Sequence, residues 1–180
     1  ARLDEMLWQG AQAEARQMFD LVSDADKALA EARIALQNRR GDVNELINAL
    51  PASKGGDAGL QKDRFEWRIR KGFEDSAKDL LLSQSVSAAA LGQPAAWANR
   101  RRALARDEMR NGDPKRAYQM ASQHFLEEGS HFADLEWLSG YIALRFLKDP
   151  KRALTHFKAH DGAVESPISQ GRAGYWQGRA

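Results

Sequence analysis

Cysteine is absent from this 180-residue chain. That excludes a disulfide framework, a thiolate nucleophile and any cysteine-based metal site. β-Branched residues are almost as scarce, with four Val, five Ile and one Thr against 30 Ala and 19 Leu. Strands draw on β-branched and aromatic side chains, whereas Ala and Leu are strong helix formers, so the expectation is an all-α fold. No apolar run approaches the roughly 20 residues that a membrane helix requires; the leucine run Leu80 to Leu82 is only three long. No membrane span is expected. Neither charge sign dominates: the formal net charge is +2 and the pI is near 9.0, short of the excess that marks a dedicated nucleic-acid binder.

Proline is sparse as well, with five in all, and two of the five sit in the same phrase, DPKRA, at Asp113–Ala117 and at Asp149–Ala153. Aspartate before proline is a good helix start. Its carboxylate accepts amide hydrogens that the first turn leaves unpaired, and proline has no such hydrogen to lose. The Lys-Arg pair behind each proline faces the positive end of the helix dipole, so it reads as a solvated face rather than an anion site.

The helices are expected in pairs. Residues 2–9 and 11–21 flank Gly10; 25–38 and 42–50 flank Gly41; 59–70 and 73–83 flank Gly72. Residues 95–110 and 114–127 flank "NGDP", and 131–147 and 150–160 flank "KDP". A period in the thirties with two helices per unit predicts an α-superhelix, a tetratricopeptide-like solenoid of antiparallel hairpins. Residues 1–180 read as one such domain, with flexible breaks near 51–59 and 84–94. A last helix from Ser166-Pro167 has no second helix, which predicts an array continuing past Ala180. Leu135, Leu138, Ile142 and Phe146 at steps of three and four form a core stripe. Trp8, Trp67, Trp97, Trp137 and Trp176 read as packing residues, and Gly140 as the point where a neighbouring helix comes close.

Chemistry is thin in this sequence. His156 and His160 have the i, i+4 spacing of zinc-binding helices, yet no glutamate follows His156 and no third ligand stands out, so no metal is expected. His124 and His131 read as partly exposed. There is no G-x-S-x-G elbow and no phosphate loop, so neither catalytic residues nor a cofactor are expected. Glu127, Glu128, Asp134 and Glu136 read as surface acids. One basic feature is sharper: Arg102, Arg106 and Arg110 repeat every four residues, a stripe along one helix face that could follow an anionic polymer.

The blocks "DLEWLSGYIALRFLKDPKRALTHF" and "SPISQGRAGYWQGRA", with "RLDEMLWQGAQAEARQMF", "LAEARIAL", "DRFEWRIRKG" and "WANRRRALARDEMRNGDPKRAY" upstream in the same order, resemble the superhelical region of soluble lytic murein transglycosylases of Gram-negative bacteria. The resemblance spans nearly the whole chain. Tyr141 stands where that family often has tryptophan, and Gly171 and Gly174 where alanine is common. The resemblance implies a periplasmic enzyme that cleaves the MurNAc–GlcNAc β-1,4 bond of peptidoglycan and leaves 1,6-anhydroMurNAc ends. It implies that the catalytic glutamate lies in a lysozyme-like domain after residue 180, and that this segment is a non-catalytic scaffold. Its partners would be glycan strands and its own catalytic domain, with Arg102, Arg106 and Arg110 as the contact stripe. Two other readings share these helices: a tetratricopeptide-like module that binds peptides, and a basic helical binder of nucleic acid.

Overall fold

The computed structural model describes residues 2–180, and among them every regular element is helical. The helices are α1 (Arg2–Trp8), α2 (Gln12–Gln17), α3 (Asp24–Gln37), α4 (Val43–Asn48), α5 (Ala58–Arg70), α6 (Glu74–Gln84), α7 (Ala88–Leu91), α8 (Pro94–Asn111), α9 (Pro114–Ser122), α10 (Gly129–Arg145), α11 (Pro150–Gly162) and α12 (Pro167–Arg179). Contacts divide the chain into two compact units, one running to Leu80 and the other Leu81–Ala180, with the division inside α6.

The expected turns fall where glycine or Asp-Pro stands. Gly10 and Gly72 adopt φ of +74° and +79°, which a side chain would strain. Asp113 accepts a hydrogen bond from the Lys115 amide at 2.8 Å and Asp149 one from the Arg152 amide at 3.0 Å. Ala117 and Ala153, which follow the two Asp-Pro starts, are fully buried. One pair departs from expectation: the helices flanking Gly72 do not form an extensive contact, and α5 lies against α3 instead. Residues 51–59 hold a 3-10 turn, Ala52–Lys54, and the Asp57 cap of α5. Residues 84–94 hold α7, whose Leu91 is buried and whose carbonyl accepts a hydrogen bond from Trp97 Nε1 at 3.0 Å.

In the first unit, α3 is buried on two sides. Ala30 and Ile34 pack with Leu3, Leu7 and Ala15 of α1 and α2. Ala32, Ala35 and Leu36 pack with Val43 of α4 and Leu60 of α5. Arg33 lies between these two faces and is 1% exposed. Its Nη1 pairs with Asp4 and its Nε with Asp63 at 2.7 Å, while Gln37 donates to Asp63 and to the Leu7 carbonyl at 3.1 Å. Burial pushes the Asp63 carboxyl above its ordinary value, against the pull of Arg33 and Gln37.

In the second unit, α8 through α12 pack in chain order. The largest contact joins α10 to α11, and Gly140 sets its closeness. A methyl group there would lie 2.6 Å from the ring of Phe157, a fully buried side chain with no room to retreat. Gly140→Ala is expected to lower stability by about 2 kcal/mol, because overpacking a tight core outweighs the better helix propensity of alanine. A denaturant titration in which the variant is as stable as the parent would show that the seam can yield. Trp176 of α12 stacks on Phe157 with ring centroids 5.9 Å apart, and Ala173 is buried beside it.

Candidate functional site

The arginine stripe on α8 divides into two parts. Arg102 forms an ion pair with Asp134 of α10 and reaches Asn99 at 3.3 Å, so its charge is already answered. Arg106 and Arg110 lie one and two turns further on and open instead onto a groove of about 510 Å³. The opposite wall belongs to α10 and the residue after it: Trp137, Leu138, Tyr141 and Phe146, with Met109 of α8 completing the lining. The two guanidinium groups are the only charged side chains lining the groove among the described residues. Burial, and then the like charges of Arg102 and Arg110, lower the Arg106 pKa from its ordinary value, with Asp134 pulling the other way. Trp137 and Tyr141, four residues apart, stack with centroids 5.4 Å apart, and Phe146 meets Tyr141 edge-on at 6.2 Å. Phe146 is 40% exposed. Sequence spacing identified the stripe; it did not identify the aromatic wall, which packs on α8 only through the fold.

A second constellation lies within the same unit. Glu136 is 8% exposed and His124 4%, so the expectation of a surface acid and a partly exposed histidine is corrected: both face the packed helices α9, α10 and α11. His124 Nδ1 accepts the Leu126 amide hydrogen at 3.0 Å, which leaves its Nε2 hydrogen for Glu136 Oε1 at 2.9 Å. His156 Nδ1 meets Glu136 Oε2 at 2.7 Å, and its Nε2 meets the Tyr118 hydroxyl at 2.7 Å. Burial alone would raise the Glu136 carboxyl, yet hydrogen bonds from the two imidazoles hold it down at about 2. Burial pushes the Tyr118 phenol up.

The i, i+4 pair of histidines thus serves two purposes. His156 joins this network, while His160 Nδ1 donates to the Ala133 carbonyl at 2.8 Å. The described residues contain no cluster of histidine and acidic side chains able to hold a metal ion. They also contain no helix long and apolar enough to cross a membrane.

A third polar group was not visible as a site in the sequence. Arg101 is fully buried, donating from Nη1 to the Met120 carbonyl at 2.8 Å and from Nη2 to Ser85 Oγ at 2.6 Å. Ser85 in turn donates to the Leu81 carbonyl at 2.6 Å. The guanidinium therefore sits where the C-terminal ends of α6 and α9 present partial negative charge. Burial pushes its pKa down to about 10.

Compared with models of known families, with curated proteins and with solved structures, the chain matches none. Function is therefore argued from the site itself. The carboxylate network has the wrong polarity for acid catalysis. A general acid must hold a proton near neutral pH, and Glu136 is held ionised. Asp63 is shifted the other way, but Arg33 and Gln37 occupy its oxygens. The groove, by contrast, offers two cations with no acid opposite them.

Proposed function

We propose that the chain is part of the superhelical scaffold of a periplasmic lytic transglycosylase, an enzyme that cleaves the MurNAc–GlcNAc β-1,4 bond of peptidoglycan and leaves 1,6-anhydroMurNAc ends. In this reading the helices form a solenoid of hairpins. They carry a separate lysozyme-like domain, where one glutamate acts first as acid and then as base. The observation that carries the reading is the order of the sequence blocks quoted above, all of which fall on helices or on the turns between them. The state of Asp63 and Glu136 supports a non-catalytic role for these two residues, because neither combines a free oxygen with a raised pKa.

The test is a murein-clearing assay with purified peptidoglycan. The 180-residue chain alone is expected to release no soluble muropeptides, whereas the same chain followed by its lysozyme-like domain releases products with anhydro ends. Clearing by the chain alone would overturn this account of where the catalyst lies. A tetratricopeptide-like module would share the helices and the groove, but it would sediment with peptides and ignore intact peptidoglycan.

A further inference from the structure

We infer that the groove between α8 and α10 binds a carboxylate-bearing glycan, with Arg106 and Arg110 pairing its carboxylates and Tyr141 and Phe146 packing its sugar faces, while Trp137, covered by Tyr141 and by the Arg172 guanidinium, backs the wall. The inference rests on the reading above, and it moves the contact from the arginine stripe to a two-walled groove.

Charge supports an anionic occupant. Arg102 is neutralised by Asp134, while Arg106 and Arg110 face a groove with no acidic lining residue. A carboxylate placed there would gain forked, charge-assisted hydrogen bonds from Arg106, which is partly shielded from water, and from the exposed Arg110. It would also relieve the repulsion that Arg106 feels from its two neighbours. A purely electrostatic polymer site would need more cations than two, and it would not need an aromatic wall.

The wall decides between a simple anion and a larger ligand. Tyr141 to Phe146 spans five residues, about 7.5 Å along a helix axis, the length of one to two sugar rings. Pyranose rings present flat C–H faces that pack on aromatic rings, and the aromatic lining is only partly covered by protein. The volume of about 510 Å³ falls in the range of pockets that take small ligands or short polymer segments. The aromatic side chains are held against one another by the Trp137–Tyr141 stack and by Trp176, which meets both rings edge-on. The surface is thus preorganised, so little ordering is required when a ligand arrives.

The experiment measures binding of the full 180-residue chain to a soluble disaccharide-tetrapeptide muropeptide by calorimetry, beside sedimentation with intact peptidoglycan. Arg106→Gln/Arg110→Gln and, separately, Phe146→Ser are expected to weaken muropeptide binding at least tenfold, and amidating the muropeptide carboxylates should do the same. These side chains lie at the surface of the groove, and thermal melts check that each variant folds. Unchanged binding by the variants, with the parent still sedimenting with peptidoglycan, would overturn the groove and leave the scaffold reading standing. Absence of binding to both muropeptide and peptidoglycan would remove both. An acidic peptide without sugar that binds as tightly, and through the same arginines, would reassign the groove to peptides.

Discussion

Gly59→Ala is expected to destabilise the first unit by about 3–5 kcal/mol, the cost of breaking a buried ion pair by displacing one partner. Gly59 lies in the first turn of α5, where alanine is ordinarily welcome. A methyl group there, however, would sit 2.2 Å from Nη1 and 2.3 Å from Cζ of Arg33. Arg33 is held between the two apolar faces of α3, with the Trp8 ring centroid 5.3 Å from the guanidinium and a cavity of about 310 Å³ along one side. To admit the methyl the guanidinium must shift from Asp4 and Asp63, and Asp63 is then buried with Gln37 as its hydrogen-bond partner and the Lys62 charge nearby. Hydrogen exchange, which reads each unit by itself, should show lost protection in α3 and α5. In an Arg33→Ala background the same substitution should cost almost nothing, since its victim is already gone. Full protection in the single variant would show that the arginine can be moved cheaply.

Replacement of Glu136 should be nearly as severe, and the identity of the replacement is informative. Glu136→Ala leaves the His124 Nε2 hydrogen and His156 without an acceptor in a packed seam, for a loss of about 3 kcal/mol. Glu136→Gln should be much milder at neutral pH. The amide oxygen can accept from His124, and the amide nitrogen can donate to His156 once that ring moves its hydrogen to Nε2 and donates to the Tyr118 oxygen. The two variants also separate in acid. The Glu136 carboxyl is lowered from 4.5 to about 2 in the folded chain. Its contribution is therefore fully present above the unfolded value and is lost as pH falls through about 2. In the glutamine variant that part of the acid-unfolding profile should flatten, and a profile that still matches the parent between pH 4.5 and 2 would mean that other carboxylates set the acid limit.

These two sites show what a linear reading could and could not find. The turns at Gly10 and Gly72 and the Asp-Pro starts were legible, because each depends on the conformational freedom or capping chemistry of one or two adjacent residues; in the turn at Gly41 it is Arg39 that takes the left-handed conformation, at φ 57°. The arginine stripe was legible as a spacing. The charges that turned out to be buried were not, since local pattern treats a charged side chain as solvated and its partners lie far away in sequence: Asp63 is 30 residues from Arg33, and His156 is 20 from Glu136. Signals were present all the same. Arg33 is embedded in Ala32, Ile34, Ala35 and Leu36, which leaves α3 no polar face at that height. Glu136 falls on the stripe Ala133, Gly140 and Ala143 at helical steps, all buried, so a carboxylate there had to find partners inside.

The end of α9 was misplaced for a related reason. Apolar spacing suggested a helix to residue 127, yet it stops at Ser122. Arg101 Nη1 takes the Met120 carbonyl at 2.8 Å, and continuing the helix would hand that oxygen to the backbone amide of His124. A cation embedded in the neighbouring helix α8 thus caps a carbonyl that the end of α9 leaves open. The segment that follows carries His124 to Glu136, so the chain leaving α9 is anchored by Arg101 on one side and by Glu136 on the other.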